Sequence, residues 1–355
     1  MKKIAIIDAD LIGRKRHRFP NLTCMKISGF YKNLGAKVEL KTDYENLSEF
    51  GKIYIAKVFT ETPIDSEILK LPNVKYGGTG FFYDKAEPLP NKIEHSMPDY
   101  HLYDEWVKLR DKGGTEFKAY KDYSIGFLTR GCFRHCAFCV NRRSSEVKRH
   151  SPLKEFLDET RKKICLLDDN FLGCADWKIL LQELIDTGKP FCFKQGLDVR
   201  LLDEERAELL FNARYDGDLI FAFDNVNDSE VIEEKLKLIQ KFGKKNIKFY
   251  VFCGFDRNGK YDKNFWQNDF KDLFTRIEIL GKYGAKPYIM RHENYLKSPY
   301  QGMYKNIAAW CNQPFLFRKK TLKEVSFARG ISAEKYFVEF ERDNPLLTHF
   351  LEKVF

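Results

Sequence analysis

No stretch of this 355-residue chain approaches the roughly 18 consecutive apolar residues that a membrane-spanning helix needs. The N-terminal segment MKKIAIIDAD has an apolar run of only four residues before Asp8, which is shorter than the core of a secretory signal peptide. Hydrophobic residues make up 43% of the chain, enough for a sizeable core, and the length suits two domains. We therefore expect a soluble, cytoplasmic protein that does not bind a membrane.

The chain also lacks the cysteine pattern of a disulfide-bonded domain. Its 9 cysteines are odd in number and scattered, and the chain is far longer than small disulfide-rich domains. Outside one short stretch no two cysteines form a C-x2-C pair, so no auxiliary iron–sulfur cluster is predicted. We interpret the cysteines outside that stretch as small buried hydrophobes; they are Cys24, Cys165, Cys174, Cys192, Cys253 and Cys311.

The exception is Cys132, Cys136 and Cys139, which form a C-x3-C-x2-C run in the segment GFLTRGCFRHCAFCVNRR. Three thiolates at this spacing can hold three corners of a cubane iron–sulfur cluster. No fourth cysteine follows within the loop, so one iron would stay open to another ligand. The alternative is a structural zinc site with a fourth ligand from elsewhere, but the second cysteine pair typical of such sites is missing; candidates for that ligand are His135, His150 and Cys165.

Charge gives a weaker indication of the partner. The net charge is +10, from 61 Lys and Arg against 51 Asp and Glu, with basic clusters at residues 14–18 and 142–143. Such an excess permits a polyanionic partner such as a nucleic acid, but a solvated lysine-rich surface explains it equally well.

Alternating strand and helix patterns predict an α/β protein. Over residues 1–85 they indicate a doubly wound, Rossmann-like domain, and the proline-bearing residues 86–120 read as a linker with one short helix. Over residues 121–300 six strand–helix units predict a partial (β/α)6 barrel of the TIM type, with helices expected in segments such as SPLKEFLDETRK. Residues 301–355 form a C-terminal helical extension. The cysteine loop follows the first barrel strand, at the barrel end that carries the chemistry.

Phe138 completes a C-x3-C-x-aromatic-C pattern, so the loop resembles the cluster loop of radical S-adenosylmethionine (radical SAM) enzymes. The two-domain layout resembles members of that family that have an N-terminal cobalamin-binding-like domain. The resemblance implies that Cys132, Cys136 and Cys139 bind a [4Fe-4S] cluster and that Phe138 packs near the adenine of SAM. It further implies reductive cleavage of SAM to a 5′-deoxyadenosyl radical, with an electron donor such as flavodoxin or ferredoxin.

The resemblance also indicates where the rest of SAM would bind. The strand end LLDDN occupies the place where the family contacts the SAM amino group, which proposes Asp168, Asp169 or Asn170 as the acceptor. Polar residues at the end of the third barrel strand are candidates for the ribose or the carboxylate of SAM: Gln195, Asp198 and Arg200. Gly254, in VFCGFD, matches part of the pattern that supports adenine through backbone contacts.

The N-terminal domain departs from the family in one respect. The cobalamin-binding motif D-x-H-x-x-G supplies a histidine to cobalt, whereas this chain has Asp8-Ala9-Asp10-Leu11-Ile12-Gly13, and His17 lies four residues beyond Gly13. We therefore expect this domain to bind cobalamin weakly or not at all, since folds are often kept after a ligand is lost.

The sequence thus predicts a radical SAM enzyme that modifies a substrate of unknown identity and whose catalytic residues beyond the cofactor ligands are unknown. The alternative is a zinc- or cluster-bearing nucleic-acid-binding protein without radical chemistry. Methylthio transfer is disfavoured, because only Cys24 precedes Cys132 and a second cluster in the N-terminal domain would need three cysteines.

Overall fold

The computed structural model describes residues 3–14, 19–243 and 246–355. The chain divides into two compact units: the first comprises residues 1–169 and 174–192, and the second comprises residues 170–173 and 193–355. Most of the basic cluster at residues 14–18, including His17, lies outside the described residues. Among the helices described, none is long and apolar enough to cross a membrane.

The first unit begins with a parallel sheet of four strands in the order β2-β1-β3-β4. The central strand β1 is buried along its whole length, because it has a neighbour on each side and apolar residues in most positions. The strands are β1 Ile4–Asp8, β2 Val38–Lys41, β3 Lys52–Ala56 and β4 Val74–Gly77. Two helices, α1 Ala9–Gly13 and α2 Leu22–Asn33, follow β1, whereas α3 Ser66–Leu69 follows β3 and α4 Thr79–Phe82 follows β4.

Three short helices connect this sheet to a second one. They are α5 Asn91–Glu94, α6 Asp104–Lys108 and α7 Lys118–Asp122. The second sheet has the order β5-β8-β9, with β5 Tyr123–Gly126 parallel to β8 Lys163–Leu166 and with β9 Phe191–Phe193 beside β8. Between β5 and β8 the chain forms a small antiparallel hairpin, β6 Thr129–Arg130 and β7 Lys148–Arg149, and helix α8 Trp177–Asp186 precedes β9.

The second unit has a parallel sheet in the order β10-β11-β12, followed by helices. Its strands are β10 Leu219–Ala222, β11 Ile247–Cys253 and β12 Lys286–Arg291, which alternate with α9 Glu204–Asn212, α10 Ser229–Gln240 and α11 Lys263–Lys282. The C-terminal helices are α12 Gln301–Cys311, α13 Pro314–Lys319, α14 Leu322–Ala328, α15 Ile331–Asp343 and α16 Thr348–Leu351. Trp310 of α12 is fully buried, and its indole N–H donates to the carbonyl of Lys320, so it is part of the core that the C-terminal helices form.

The predicted α/β class with parallel sheets is confirmed, but one predicted helix is wrong. In SPLKEFLDETRK only Leu153–Glu155 forms a helical turn, of the 3₁₀ type. The segment then packs against β5: the carbonyl of the buried Phe156 accepts from the Tyr100 hydroxyl at 2.6 Å, and the amide of Asp158 donates to Ser124 Oγ at 3.0 Å. These long-range hydrogen bonds replace the helical ones, and a local sequence pattern does not contain them.

Candidate functional site

The cysteine loop lies between the two strands of the β6–β7 hairpin. The pairs Thr129 with Arg149 and Arg130 with Lys148 close its base. The loop therefore starts a few residues after the carboxyl end of β5, a parallel strand of the second sheet. The hairpin fixes both ends of a segment that otherwise has no regular secondary structure.

Backbone hydrogen bonds shape the loop around its thiols. The amide of Cys139 donates to the carbonyl of Cys136 at 2.9 Å, which makes a tight turn between these two cysteines. The amide of Asn141 donates to Cys139 Sγ at 3.4 Å, and the amide of Cys132 donates to Ser144 Oγ at 3.2 Å. An N–H group directed at a cysteine sulfur is the kind of contact that tunes the potential of an iron–sulfur cluster.

The three loop cysteines are half-buried, and none of the nine cysteines, all of which are described, forms a disulfide. Within residues 3–14, 19–243 and 246–355 no three His, Cys, Asp or Glu side chains converge tightly enough to hold a metal ion. The three thiols of one loop and the N–H to sulfur contact fit a cluster. The zinc alternative gains no support.

Asp168 follows β8 and fastens the base of the loop. One carboxylate oxygen accepts from the amide and the hydroxyl of Thr129, each at 2.6 Å, and the other accepts from the amide of Leu128 at 3.2 Å. Burial raises the pKa of this carboxyl to about 7 although these three donors act in the opposite direction. The side chain is 1% exposed and already engaged by the chain, so it holds structure in place.

Asp169, the next residue, is less buried and borders the loop directly. Its Oδ2 accepts from the amide of Gly131 at 2.9 Å, and its Oδ1 accepts from the side-chain amide of Asn141 at 2.6 Å. It lines a cavity of about 500 Å³ together with Arg130, Gly131 and Asn141. Each of its oxygens keeps a further lone pair, so Asp169 can accept another donor beside the cysteines.

Asn170 belongs to the second unit, as do Gln195, Asp198, Arg200 and Gly254. Asn170 is 2% exposed, and its carbonyl accepts from the amide of Gly173. Gln195 is exposed, just before a turn in which Gly196 has φ of +90°. The structure thus places Asp168 and Asp169 beside the cysteine loop within one unit, and Asn170 and Gln195 within the other.

Asp198 and Arg200 form an ion pair within the second unit. Arg200 Nε donates to Asp198 Oδ1 at 2.8 Å, and Arg200 Nη1 donates to Asp228 Oδ2 at 2.9 Å. Two carboxylates thus flank the guanidinium of Arg200, which was predicted as a candidate contact for the ribose or the carboxylate of SAM. Asp228 was not among the residues that the sequence singled out, since a carboxylate in a turn before a helix carries no functional signal by itself.

Gly254 follows β11 and has φ of +78°, a conformation that favours glycine. Its amide donates to Asp269 Oδ2 at 3.0 Å, and a Cβ atom here would lie 3.0 Å from Cβ of Tyr295. Asp269 also accepts from the Tyr304 hydroxyl, and burial raises the pKa of its carboxyl. The positive φ and the close approach of Tyr295 therefore explain why a glycine occupies this turn next to a buried carboxylate.

Two residues that sequence reasoning missed contact the cysteine loop from outside. The Tyr83 hydroxyl donates to the carbonyl of Phe138, and Asp84 accepts from the side chains of Arg142 and Arg143. Both residues follow α4 in a stretch without periodicity, so no pattern could have identified them.

The edge of the N-terminal sheet has its own set of polar contacts. In a parallel sheet with the order β2-β1-β3-β4, ligands bind outside the carboxyl ends of the strands, near β1 and β3. Here Asp10 accepts from the amide of Val58 at 2.7 Å and from the Thr62 hydroxyl, which ties the two strand ends together. The Tyr44 hydroxyl is buried after β2 without a hydrogen-bond partner in the described part of the chain, and burial raises its pKa to about 12.

Neither a protein-family model nor a curated protein sequence matches this chain. Solved structures do. The radical SAM methyltransferase TsrM from Kitasatospora setae, with cobalamin and a [4Fe-4S] cluster bound, has a TM-score of 0.53 and 14% identity over 82% of this chain and 75% of its own. The chain shares its fold with a radical SAM enzyme. A second TsrM structure, with tryptophan substrate and the SAM analogue aza-SAM, gives the same TM-score and identity over 81% of this chain and 73% of TsrM.

The likeness to TsrM confirms the predicted resemblance at the level of the fold and corrects one expectation. Residues 121–355 make up about two thirds of the chain, so a match over 82% must extend into the first 120 residues. TsrM has cobalamin bound in this fold, which contradicts the expectation that cobalamin binds weakly or not at all. The absence of a histidine between Asp8 and Gly13 removes one kind of cobalt ligand, and that absence was not sufficient to exclude the cofactor.

Proposed function

We propose that this protein is a radical SAM enzyme whose cluster is bound by Cys132, Cys136 and Cys139. The observation that carries the proposal is the C-x3-C-x2-C loop, which follows a parallel strand in a fold shared with TsrM. The partial (β/α)6 barrel is part of this proposal. It is supported by the six strands of the two three-stranded sheets, which alternate with helices along the chain from β8 onwards.

A cluster held by Cys132, Cys136 and Cys139 would supply the one electron needed to cleave the S–C5′ bond of SAM to methionine and a 5′-deoxyadenosyl radical, which would take a hydrogen atom from the substrate. The chain's own residues bind and orient the reactants. Asp168 fastens the base of the cysteine loop, which leaves Asp169 as the better acceptor of the SAM ammonium. Phe138 would pack against adenine. We propose further SAM contacts from five residues of the second unit: Asn170, Gln195, Asp198, Arg200 and Gly254.

The direct test is the formation of 5′-deoxyadenosine from SAM by anaerobically reconstituted protein with dithionite as reductant. We expect the wild-type protein to form it, and Cys132→Ala, Cys136→Ala and Cys139→Ala to form none. Cys192→Ala is the matched control, because Cys192 is also half-buried but lies outside the loop. Absence of 5′-deoxyadenosine from wild-type protein with a full cluster would contradict radical formation.

A second candidate is methyl transfer with cobalamin as an additional cofactor. It is favoured by the match to TsrM, a methyltransferase with cobalamin bound, which extends into the first 120 residues. The buried Tyr44 hydroxyl at the sheet edge is a group that an amide-bearing ligand could engage. For methyl transfer we expect the reaction to yield S-adenosylhomocysteine and the protein to take up hydroxocobalamin with a shifted visible spectrum. Formation of 5′-deoxyadenosine alone, without uptake, would exclude this candidate.

Two partners stay predictions. The electron must come from a one-electron donor such as flavodoxin or ferredoxin. A nucleic-acid substrate is supported by the net charge of +10 alone, since basic residues around the cysteine loop are paired with carboxylates: Arg142 and Arg143 with Asp84, Lys148 with Glu146, and Arg149 with Asp176.

A further inference from the structure

We propose that Tyr83 and Asp84 are positioning residues for the cluster: they fix the cysteine loop from outside, between Cys136 and Cys139, before the cluster binds. The inference rests on the proposed function, in which the cysteine loop binds the cluster. Both residues follow α4 at the end of the N-terminal sheet and reach the loop from 55 to 59 residues away in sequence.

Asp84 is a largely buried carboxylate that binds two arginines of the cysteine loop. A single carboxylate oxygen accepts from Nε of Arg142 and Nε of Arg143, each at 2.8 Å. The Asp84 side chain is 5% exposed, whereas the two arginine side chains are 43% and 58% exposed. The carboxylate is therefore covered by the loop that it holds, unlike the carboxylate of an ordinary surface ion pair.

Arg142 passes this constraint on to the loop backbone. Its Nη1 donates to the carbonyl of Ala137 at 3.2 Å, and its own carbonyl accepts from His135 Nδ1 at 2.9 Å. Because the guanidinium is planar and rigid, an Nε held by Asp84 also fixes the direction of Nη1. Asp84 thereby orients the carbonyl of the residue that follows Cys136.

Tyr83 fixes the next carbonyl. Its hydroxyl donates to the carbonyl of Phe138, and its ring lies 5.8 Å from the guanidinium of Arg142. Tyr83 has φ of +48° and ψ of −117°, a backbone conformation that an aromatic residue seldom adopts. Ala137 and Phe138 are the two residues between Cys136 and Cys139, and their carbonyls are held by Arg142, which Asp84 orients, and by Tyr83.

The experiment compares Asp84→Asn with Asp176→Asn in metal-free and reconstituted protein. Asp176 is the control, because it also pairs with an arginine, Arg149, but does so at the base of the hairpin, where its side chain is 45% exposed. In metal-free protein, alkylation rates of individual cysteines are read by peptide mass spectrometry. We expect Asp84→Asn to speed alkylation of Cys136 and Cys139 by about three- to tenfold, because loss of a charge-assisted hydrogen bond lets the cysteine loop open more often. Asp176→Asn should stay within about twofold of wild type.

In reconstituted protein we expect Asp84→Asn to broaden the EPR signal of the reduced cluster, Asp84→Glu to restore its shape, and Tyr83→Phe to have an intermediate effect. A general loss of stability would speed alkylation of the buried Cys24 as well and would overturn the inference. If wild-type protein binds four irons and Asp84→Asn keeps wild-type rates and signal, the positioning role alone is wrong. If wild-type protein binds no iron, the proposed function itself fails.

Discussion

Two neighbouring carboxylates in this chain differ in burial and in what they contact. Asp168 is buried and accepts from Thr129 and Leu128, whereas Asp169 is half-buried and lines a cavity together with Gly131 and Asn141. The sequence offered Asp168, Asp169 and Asn170 as equal candidates, because a run of polar residues after a strand does not reveal where each side chain points.

We predict that Asp169→Asn weakens SAM binding and that Asp168→Asn does not. A carboxylate-to-ammonium contact is a charge-assisted hydrogen bond worth about 1.5–3 kcal/mol, so its loss should weaken SAM affinity roughly tenfold to a hundredfold. Asp168→Asn should instead lower the melting midpoint, since it leaves buried N–H groups facing an amide. Isothermal titration with SAM and a thermal melt measure the two effects, and equal losses of affinity in both variants would contradict the assignment.

A second prediction concerns the ion pair between Glu94 and Lys26. Lys26 Nζ and His150 Nε2 both contact Glu94 Oε1, at 2.7 and 2.8 Å. Burial alone would raise the pKa of Glu94, but His150 and Lys26 outweigh it and lower that pKa to about 2. Burial instead dominates at Lys26 and lowers its pKa, since its side chain is 5% exposed against 19% for Glu94.

Because the folded-state pKa of Glu94 lies below its unfolded value of about 4.3, its stabilisation is present above that pH and is lost as the pH falls towards 2. Glu94→Gln should flatten this loss and cost about 3 kcal/mol near neutral pH, because it leaves a buried ammonium without its carboxylate. Lys26→Met should lower the free energy of unfolding by less than Glu94→Gln does. Denaturant unfolding between pH 2 and 7 checks this, and identical pH profiles for wild type and Glu94→Gln would contradict it.

At the scale of the element, the loop after β4 depends on one particular glycine. Gly78 has φ of +104°, and a Cβ atom there would lie 2.5 Å from the carbonyl oxygen of Lys57. At Gly77 a Cβ atom meets nothing within 4 Å. We predict that Gly78→Ala costs about 2 kcal/mol or more, through backbone strain and a clash with backbone, and that Gly77→Ala stays within about 0.5 kcal/mol of wild type. The denaturation midpoints of the two variants measure this difference, and an equal loss of stability in Gly78→Ala and Gly77→Ala would contradict the prediction.

Strands were the elements most accessible from the sequence, and segments held by distant contacts were the least. The apolar runs IAII and LIFA lie in β1 and β10, since burial on a sheet demands apolar residues wherever the strand sits. The segment after Ser151 has helical spacing, but Tyr100 and Ser124 bind its backbone and hold it in another shape. The contacts of Tyr83 and Asp84 were invisible for the same reason.

At the scale of the molecule, the alternating pattern predicted an α/β chain with parallel sheets, and the cysteine spacing predicted the family that its fold resembles. The expectation of weak or absent cobalamin binding was wrong, because it depended on one missing histidine. A cofactor is held by a whole surface, and a single motif reports on only one of its ligands.

The central claim is that three thiolates of one loop hold a [4Fe-4S] cluster that binds SAM. The most direct measurement is iron and sulfide content together with EPR of the anaerobically reconstituted, reduced protein, recorded before and after SAM is added. We predict about four irons per chain, a signal that changes with SAM, and loss of that signal in Cys132→Ala, Cys136→Ala and Cys139→Ala. One zinc per chain, or full iron content in all three variants, would contradict the account.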